Sequence, residues 1–202
     1  MNRHAALAAG ALAAALFGTS EAWAQAGLDA SWRPSARLRP WVAAAAGPAK
    51  GSFSCEPCGI AHDGTGLATV LAGGLQISDR LAIGGERRTW ASLFSESGDR
   101  AAVVLGTAQV LAGDSRNVRV AVRAGLGRGH YTRDSGSGTR VARLTSLGGG
   151  AALVLFPRAS LSPTIALDSW ASRGRFPATG MLRSGAVTGV QTSLVVGVVA
   201  HH

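Results

Sequence analysis

The chain holds two cysteines, and they stand as Cys55-Glu56-Pro57-Cys58 with His62 close behind. That spacing admits three chemistries. Two thiolates and an imidazole could supply part of a zinc site, which wants four ligands or three plus water. A C-x-x-C at the start of a helix could be a redox pair, because the helix N-terminus lowers the thiol pKa. In an oxidising compartment, two neighbouring thiols form a disulfide. Hydrolysis is a separate possibility and would need a serine activated by a histidine that an acid orients. His62, His130, His201 and His202 are available, but no G-x-S-x-G singles out a nucleophile.

The compartment separates these readings. Arg3 and His4 precede an apolar run from Ala5 to Phe17, and small residues Ala22 and Ala24 flank Trp23. This is the layout of a secretory signal. The run falls short of the roughly 20 apolar residues that a membrane-spanning helix requires. We therefore expect a cleaved signal over 1–24, a short flexible segment over 25–37 and one domain over 38–202. An exported chain meets an oxidising environment, and Gly59 to Gly66 is too broken by glycine to be a helix. A Cys55–Cys58 disulfide in an exposed loop is the expectation, with no metal and no cofactor.

Among 202 residues there are 20 Lys and Arg against 11 Asp and Glu, a formal net charge of +9. Basic chains often bind nucleic acid. Here the arginines are scattered through apolar segments, without a basic run or interleaved aromatics to stack bases, so no nucleic-acid partner is expected.

The elements that must position any site read as strands. Val118, Val120, Val122, Ala124 and Leu126 share one face of an alternating stretch, opposite Arg119, Ala121 and Arg123. Val190, Thr192, Leu194, Val196 and Val198 alternate in the same way, as do Pro163, Ile165 and Leu167 against Ser162, Thr164, Ala166 and Asp168. Period-2 alternation marks strands with one apolar face. Eight such segments fall near 40–52, 66–77, 80–94, 100–112, 118–132, 139–156, 161–172 and 187–200. Short turns (78–79, 113–117, 157–160) alternate with longer, polar connections (51–65, 95–99, 133–138, 173–186). Even strand number, dyad repeats and alternating connections describe an all-β, eight-stranded antiparallel up-and-down transmembrane barrel. Closure is obligatory, because every backbone N–H and C=O must be paired in hydrocarbon.

The stretches "RPWVAAAAGPAKGSFSCEPC", "GLATVLAGGLQISDRLAIGGE", "VRAGLGRGHY" and "SLVVGVVAHH" resemble the small bacterial outer-membrane β-barrel family of OmpA/OmpX size. The resemblance spans the chain after the signal. It implies a barrel fold and an outer-membrane location, with a C-x-x-C in the first outer loop and no particular activity. It also implies membrane lipid, lipopolysaccharide and the barrel assembly machinery as partners of a monomer. The interfacial aromatic girdles would fall to Trp41, Trp90, Tyr131, Trp170 and Phe176.

In that frame Glu86, Arg88, Arg119, Arg123 and Asp168 have lumen-facing parity. Charges in a narrow lumen must pair, so a carboxylate–arginine network plugging the barrel is expected. Arg87 has the opposite parity from Arg88, which calls for a bulge or a rim position near Trp90. The expected role is structural or adhesive, or one in envelope integrity, and non-enzymatic. The alternatives are a narrow pore or hydrophobic-solute port, and a lipid-modifying enzyme.

Overall fold

The computed structural model describes residues 38–93, 98–113, 117–135, 138–178 and 184–201. The predicted signal and the segment after it lie outside the described residues. Eight strands run in order: β1 Arg39–Cys55, β2 Ile60–Gln76, β3 Leu81–Ser92, β4 Arg100–Ala112, β5 Val118–Ser135, β6 Gly138–Leu155, β7 Leu161–Phe176 and β8 Gly185–His201. Each pairs antiparallel with the next, and β8 pairs with β1 to close the barrel.

Closure carries a stagger. The pairing row that leaves β1 at Ala44 passes through Leu71, Arg87, Val104, Arg128, Thr145, Arg173 and Thr188 and returns to β1 at Ser54. That shift of ten residues tilts the strands and sets the barrel's bore, because stagger and strand number together fix the diameter.

Alternation decides the two surfaces. Leu71, Val104, Leu126, Leu147, Leu167, Leu194 and Val196 point outward and remain exposed. Ala68, Val70, Ala121, Leu144, Ala166 and Val195 point inward and are buried. An aliphatic outer band around an interior that holds the buried charges is the transmembrane-barrel pattern, the reverse of a soluble protein.

Three expectations are corrected. First, 51–65 is not a long loop: β1 and β2 run on to Cys55 and Ile60, and a single 3₁₀ turn at Glu56–Cys58, closed by Gly59 in the left-handed region (φ 63°), joins them. The glycines that read as loop are barrel glycines. A Cβ on Gly51 or Gly66 would stand 2.8 or 2.7 Å from the Trp90 indole, so glycine there makes room for the ring. β5 and β6 likewise extend through most of 133–138. The asymmetry between the ends lies partly in strand overhang: spanning needs about 9–11 residues, and β5 and β6 have 18 each.

Second, β3 has no bulge. Arg87 pairs with Leu71 and Val104 in unbroken ladders and its side chain faces outward, while Arg88 and Trp90 face inward. Of the two alternatives the bulge is excluded, and Arg87 stands on the outer face of a regular strand.

Third, none of the girdle candidates is interfacial. Trp41, Trp90, Tyr131, Trp170 and Phe176 are all buried in the lumen. Among the described residues the exposed large apolar side chains are Leu, Val and Ile, with Phe156 at the β6–β7 turn the one exposed aromatic.

Candidate functional site

The lumen is filled in layers. At mid-height stands a ring of charge built from three strands. Glu86 and Arg88 are two residues apart on β3, so the pleat turns both inward. Arg123 on β5 and Asp168 on β7 share one pairing row, with Gly150 of β6 between them. Because Gly150 has no side chain, the arginine and the carboxylate meet across it. A Cβ there would fall on Asp168 Oδ1.

The hydrogen bonds form a closed set. Arg88 donates from Nε to Glu86 Oε1 (2.9 Å), from Nη1 to Ser193 Oγ (3.0 Å) and from Nη2 to Asp168 Oδ2 (2.7 Å). Arg123 donates from Nε to Asp168 Oδ1 (2.9 Å), from Nη2 to Asp168 Oδ2 (2.5 Å) and from Nη1 to Glu86 Oε2 (3.0 Å). The Arg123–Asp168 contact is the bidentate fork that makes such pairs strong and specific. Each carboxylate touches both guanidiniums, so the two positive and two negative charges balance. The Arg88 guanidinium also lies 5.1 Å from the Trp170 ring centre, a cation–π contact.

Arg119 stands apart. It has inward parity but sits nearer the terminal end of β5, opposite Val154, and no ion pair of its own is found among the described residues. The structure thus brings Glu86, Arg88, Arg123 and Asp168 together and leaves Arg119 out. Sequence reasoning missed Ser193 and Trp170. Ser193 could have been found from the inward parity of β8 and its register with Asp168.

Toward the chain termini lies a small cavity of about 80 Å³, lined by Trp41, Ala43, Val70, Leu111, Ala121 and Val199, with Arg123 also on its wall. At the other end an aromatic layer fills the bore. Phe53 stacks on Tyr131 at 4.4 Å between ring centres, Trp90 lies 5.6 Å from Phe53, and Phe176 meets Tyr131 edge-on at 6.0 Å. The Tyr131 hydroxyl donates to Asp99 Oδ1 (2.8 Å), and His62 Nδ1 stands 2.8 Å from Asp99 Oδ2. His62 is therefore an inward strand residue and not a loop ligand.

That placement separates the C-x-x-C from His62. A disulfide joins Cys55 to Cys58, and the imidazole is turned onto Asp99. The three side chains do not converge on a metal. For the hydrolytic alternative, His62 and Asp99 form an imidazole–carboxylate pair, and among the described residues no hydroxyl is hydrogen-bonded to His62 Nε2. His130 points away from the lumen.

A closed eight-stranded barrel, aliphatic outside and ion-paired within, has the architecture of a small bacterial outer-membrane β-barrel. Its fold matches that of neisserial surface protein A, NspA, with a TM-score of 0.55 over 80% of this chain and 96% of that one, at 13% identity. It also matches Ail, the attachment invasion locus protein of Yersinia pestis (TM-score 0.43, 16% identity, 79% and 97% covered). A third match is the outer membrane protease OmpT of Escherichia coli (TM-score 0.39, 9% identity, 86% and 99% covered). At 13% identity the likeness to NspA is one of fold alone. No family model matches the chain, and no curated protein matches it.

Proposed function

We propose that this protein is a structural or adhesive component of the outer membrane, non-conducting and non-enzymatic, whose barrel is a rigid pedestal for its outer rim. The ring of Glu86, Arg88, Arg123 and Asp168 carries the reading. It spans the bore with side chains that are almost wholly inaccessible to solvent, and its donors and acceptors are committed to one another. The aromatic layer around Phe53 and Tyr131 closes the outer half a second time. A pore would need a continuous polar path, and a lipid-modifying enzyme would need a nucleophile beside His62.

Planar-bilayer conductance of the refolded protein tests this. The expected result is no steady unit conductance in the wild type at neutral pH. A stable ohmic channel in the unmodified protein would overturn the reading in favour of a pore. Altered lipid A acylation in overexpressing cells would overturn it in favour of an enzyme.

A further inference from the structure

The bore is under-filled on the terminal side of the charge ring. An eight-stranded barrel is just wide enough for side chains to fill, and in the other half Phe53, Trp90, Tyr131 and Phe176 do so. Here Ala45, Ala82, Ala121, Ala152 and Ala166, from β1, β3, β5, β6 and β7, face inward and leave the cavity of about 80 Å³. Empty volume costs packing energy. Arg123 forms the deep end, and its guanidinium is engaged with Glu86 and Asp168. The cavity is thus a dead end that opens toward the short connections at 77–80 and 156–160. In barrels of this class the short turns are periplasmic.

Two donors at the open end have no partner. Trp41 is 8% exposed, and its ring lies over Gly84, where a Cβ would stand 3.0 Å from it. Its buried Nε1 makes no hydrogen bond among the described residues, and such an unmet donor costs free energy. Arg119 is the second. It has inward parity one pleat below Ala121 and stands opposite Val154, both on the cavity wall. Among the described residues it makes no ion pair.

The two ends therefore differ in charge. At the deep end two guanidiniums and two carboxylates cancel, while at the mouth Arg119 is uncompensated. The complementary ligand carries one negative charge at the mouth and an apolar tail among the alanines. A carboxylate suits the mouth, because it accepts charge-assisted hydrogen bonds from a guanidinium and has a second oxygen for the Trp41 N–H. Volume limits the tail. A cavity of roughly 150 Å³ holds benzene, so one of about 80 Å³ takes about three or four carbons.

We propose that the periplasmic half of the lumen is a dead-end binding site for a short-chain monocarboxylate, with Arg119 and Trp41 on its carboxylate and its tail among the alanines. The site goes beyond the pedestal reading and does not depend on whether the lumen conducts, since binding is read at equilibrium.

The test titrates butanoate into the mature barrel, carrying isotope-labelled tryptophan, in micelles of a neutral detergent. The indole N–H signals are followed by NMR, and Trp41→Phe assigns the one from Trp41. The expected result is a saturable shift of the Trp41 signal with that of Trp90 unmoved. Affinity should rise about fourfold per methylene from acetate to butanoate and level off beyond about pentanoate. R119Q is expected to bind about tenfold more weakly, at the level of one lost charge-assisted bond. R80Q, which removes an exposed cation from the 77–80 turn, should bind as wild type does. A152L, which fills the cavity, should abolish the shift. Heat-modifiable gel migration checks that each variant is folded. An equal shift with 1-butanol in the wild type, which needs no variant, would overturn the proposal. So would a shift that never saturates, or unchanged affinity in folded R119Q. Binding seen only after removal of residues 25–36 would give the cavity to the chain's own leading segment and overturn it as well.

Discussion

Arg88 and Asp168 are 80 residues apart in sequence and meet at 2.7 Å with neither side chain exposed. Nothing local holds them together. The contact exists because β3 and β7 face each other across a bore narrow enough for an arginine to bridge. Removing one partner strands the other's charge in a low-dielectric interior, which costs about 3–5 kcal/mol. Arg88→Met and Asp168→Asn should each lower barrel stability by an amount of that order. The double variant should lose less than the two together, as measured by urea unfolding in lipid vesicles. Strictly additive losses would mean that the two groups do not interact.

Gly150 makes the second fork possible, since it leaves the row between Arg123 and Asp168 open. A methyl there collides with Asp168 Oδ1 and with the Leu167 carbonyl. Gly150→Ala should destabilise the barrel by about 1–3 kcal/mol, the usual penalty of overpacking. Gly106→Ala is the control, because its Cβ would meet nothing closer than 3.9 Å. Equal unfolding midpoints for the two variants would place the crowding elsewhere.

The strand pattern was legible because hydrophobic alternation and burial obey the same pleat. The faces expected for 118–126, 161–168 and 190–198 are the observed ones. What the sequence obscured was the meaning of glycine. Gly51 and Gly66 look like a loop, yet they lie in β1 and β2 beside the Trp90 ring of β3, and no local pattern announces Trp90. The same blindness applied to the aromatics. A tryptophan in a barrel strand reads as an interfacial anchor until its parity is set by its neighbours, and in β3 the pair Glu86 and Arg88 sets it inward. The charge ring itself was half legible: parity gave the inward set, but only the stagger of the closed sheet decides that Arg123 reaches Glu86 while Arg119 does not.

The aliphatic outer band makes a depth-dependent prediction. Leu194 is exposed in the middle of β8. Leu194→Arg should cost roughly 2–4 kcal/mol if it sits near the bilayer midplane. Ala121→Ser changes an inward residue on the wall of the small cavity and should be far milder. Refolding yield and urea midpoint in vesicles measure both. Comparable losses would contradict the assignment of faces.

The disulfide gives the last prediction. Cys55 is buried in the distal core with Phe53 and Ile60, whereas Cys58 lies in the turn. The bridge closes a ring of very short sequence separation, so its entropic contribution on the chain-entropy view is about 2 kcal/mol or less. The β1–β2 ladder continues to Cys55 and Ile60 independently of the bond. Mild reduction, or Cys58→Ala, should therefore leave the barrel assembled with unchanged heat-modifiable migration and speed proteolysis only at the 56–59 turn. Cys55→Ser should cost more than Cys58→Ala, because it buries a hydroxyl among apolar side chains. Loss of assembly on reduction alone would mean that the bond holds the sheet in register. Equal effects of the two substitutions would mean that Cys55 matters only as a partner in the bond.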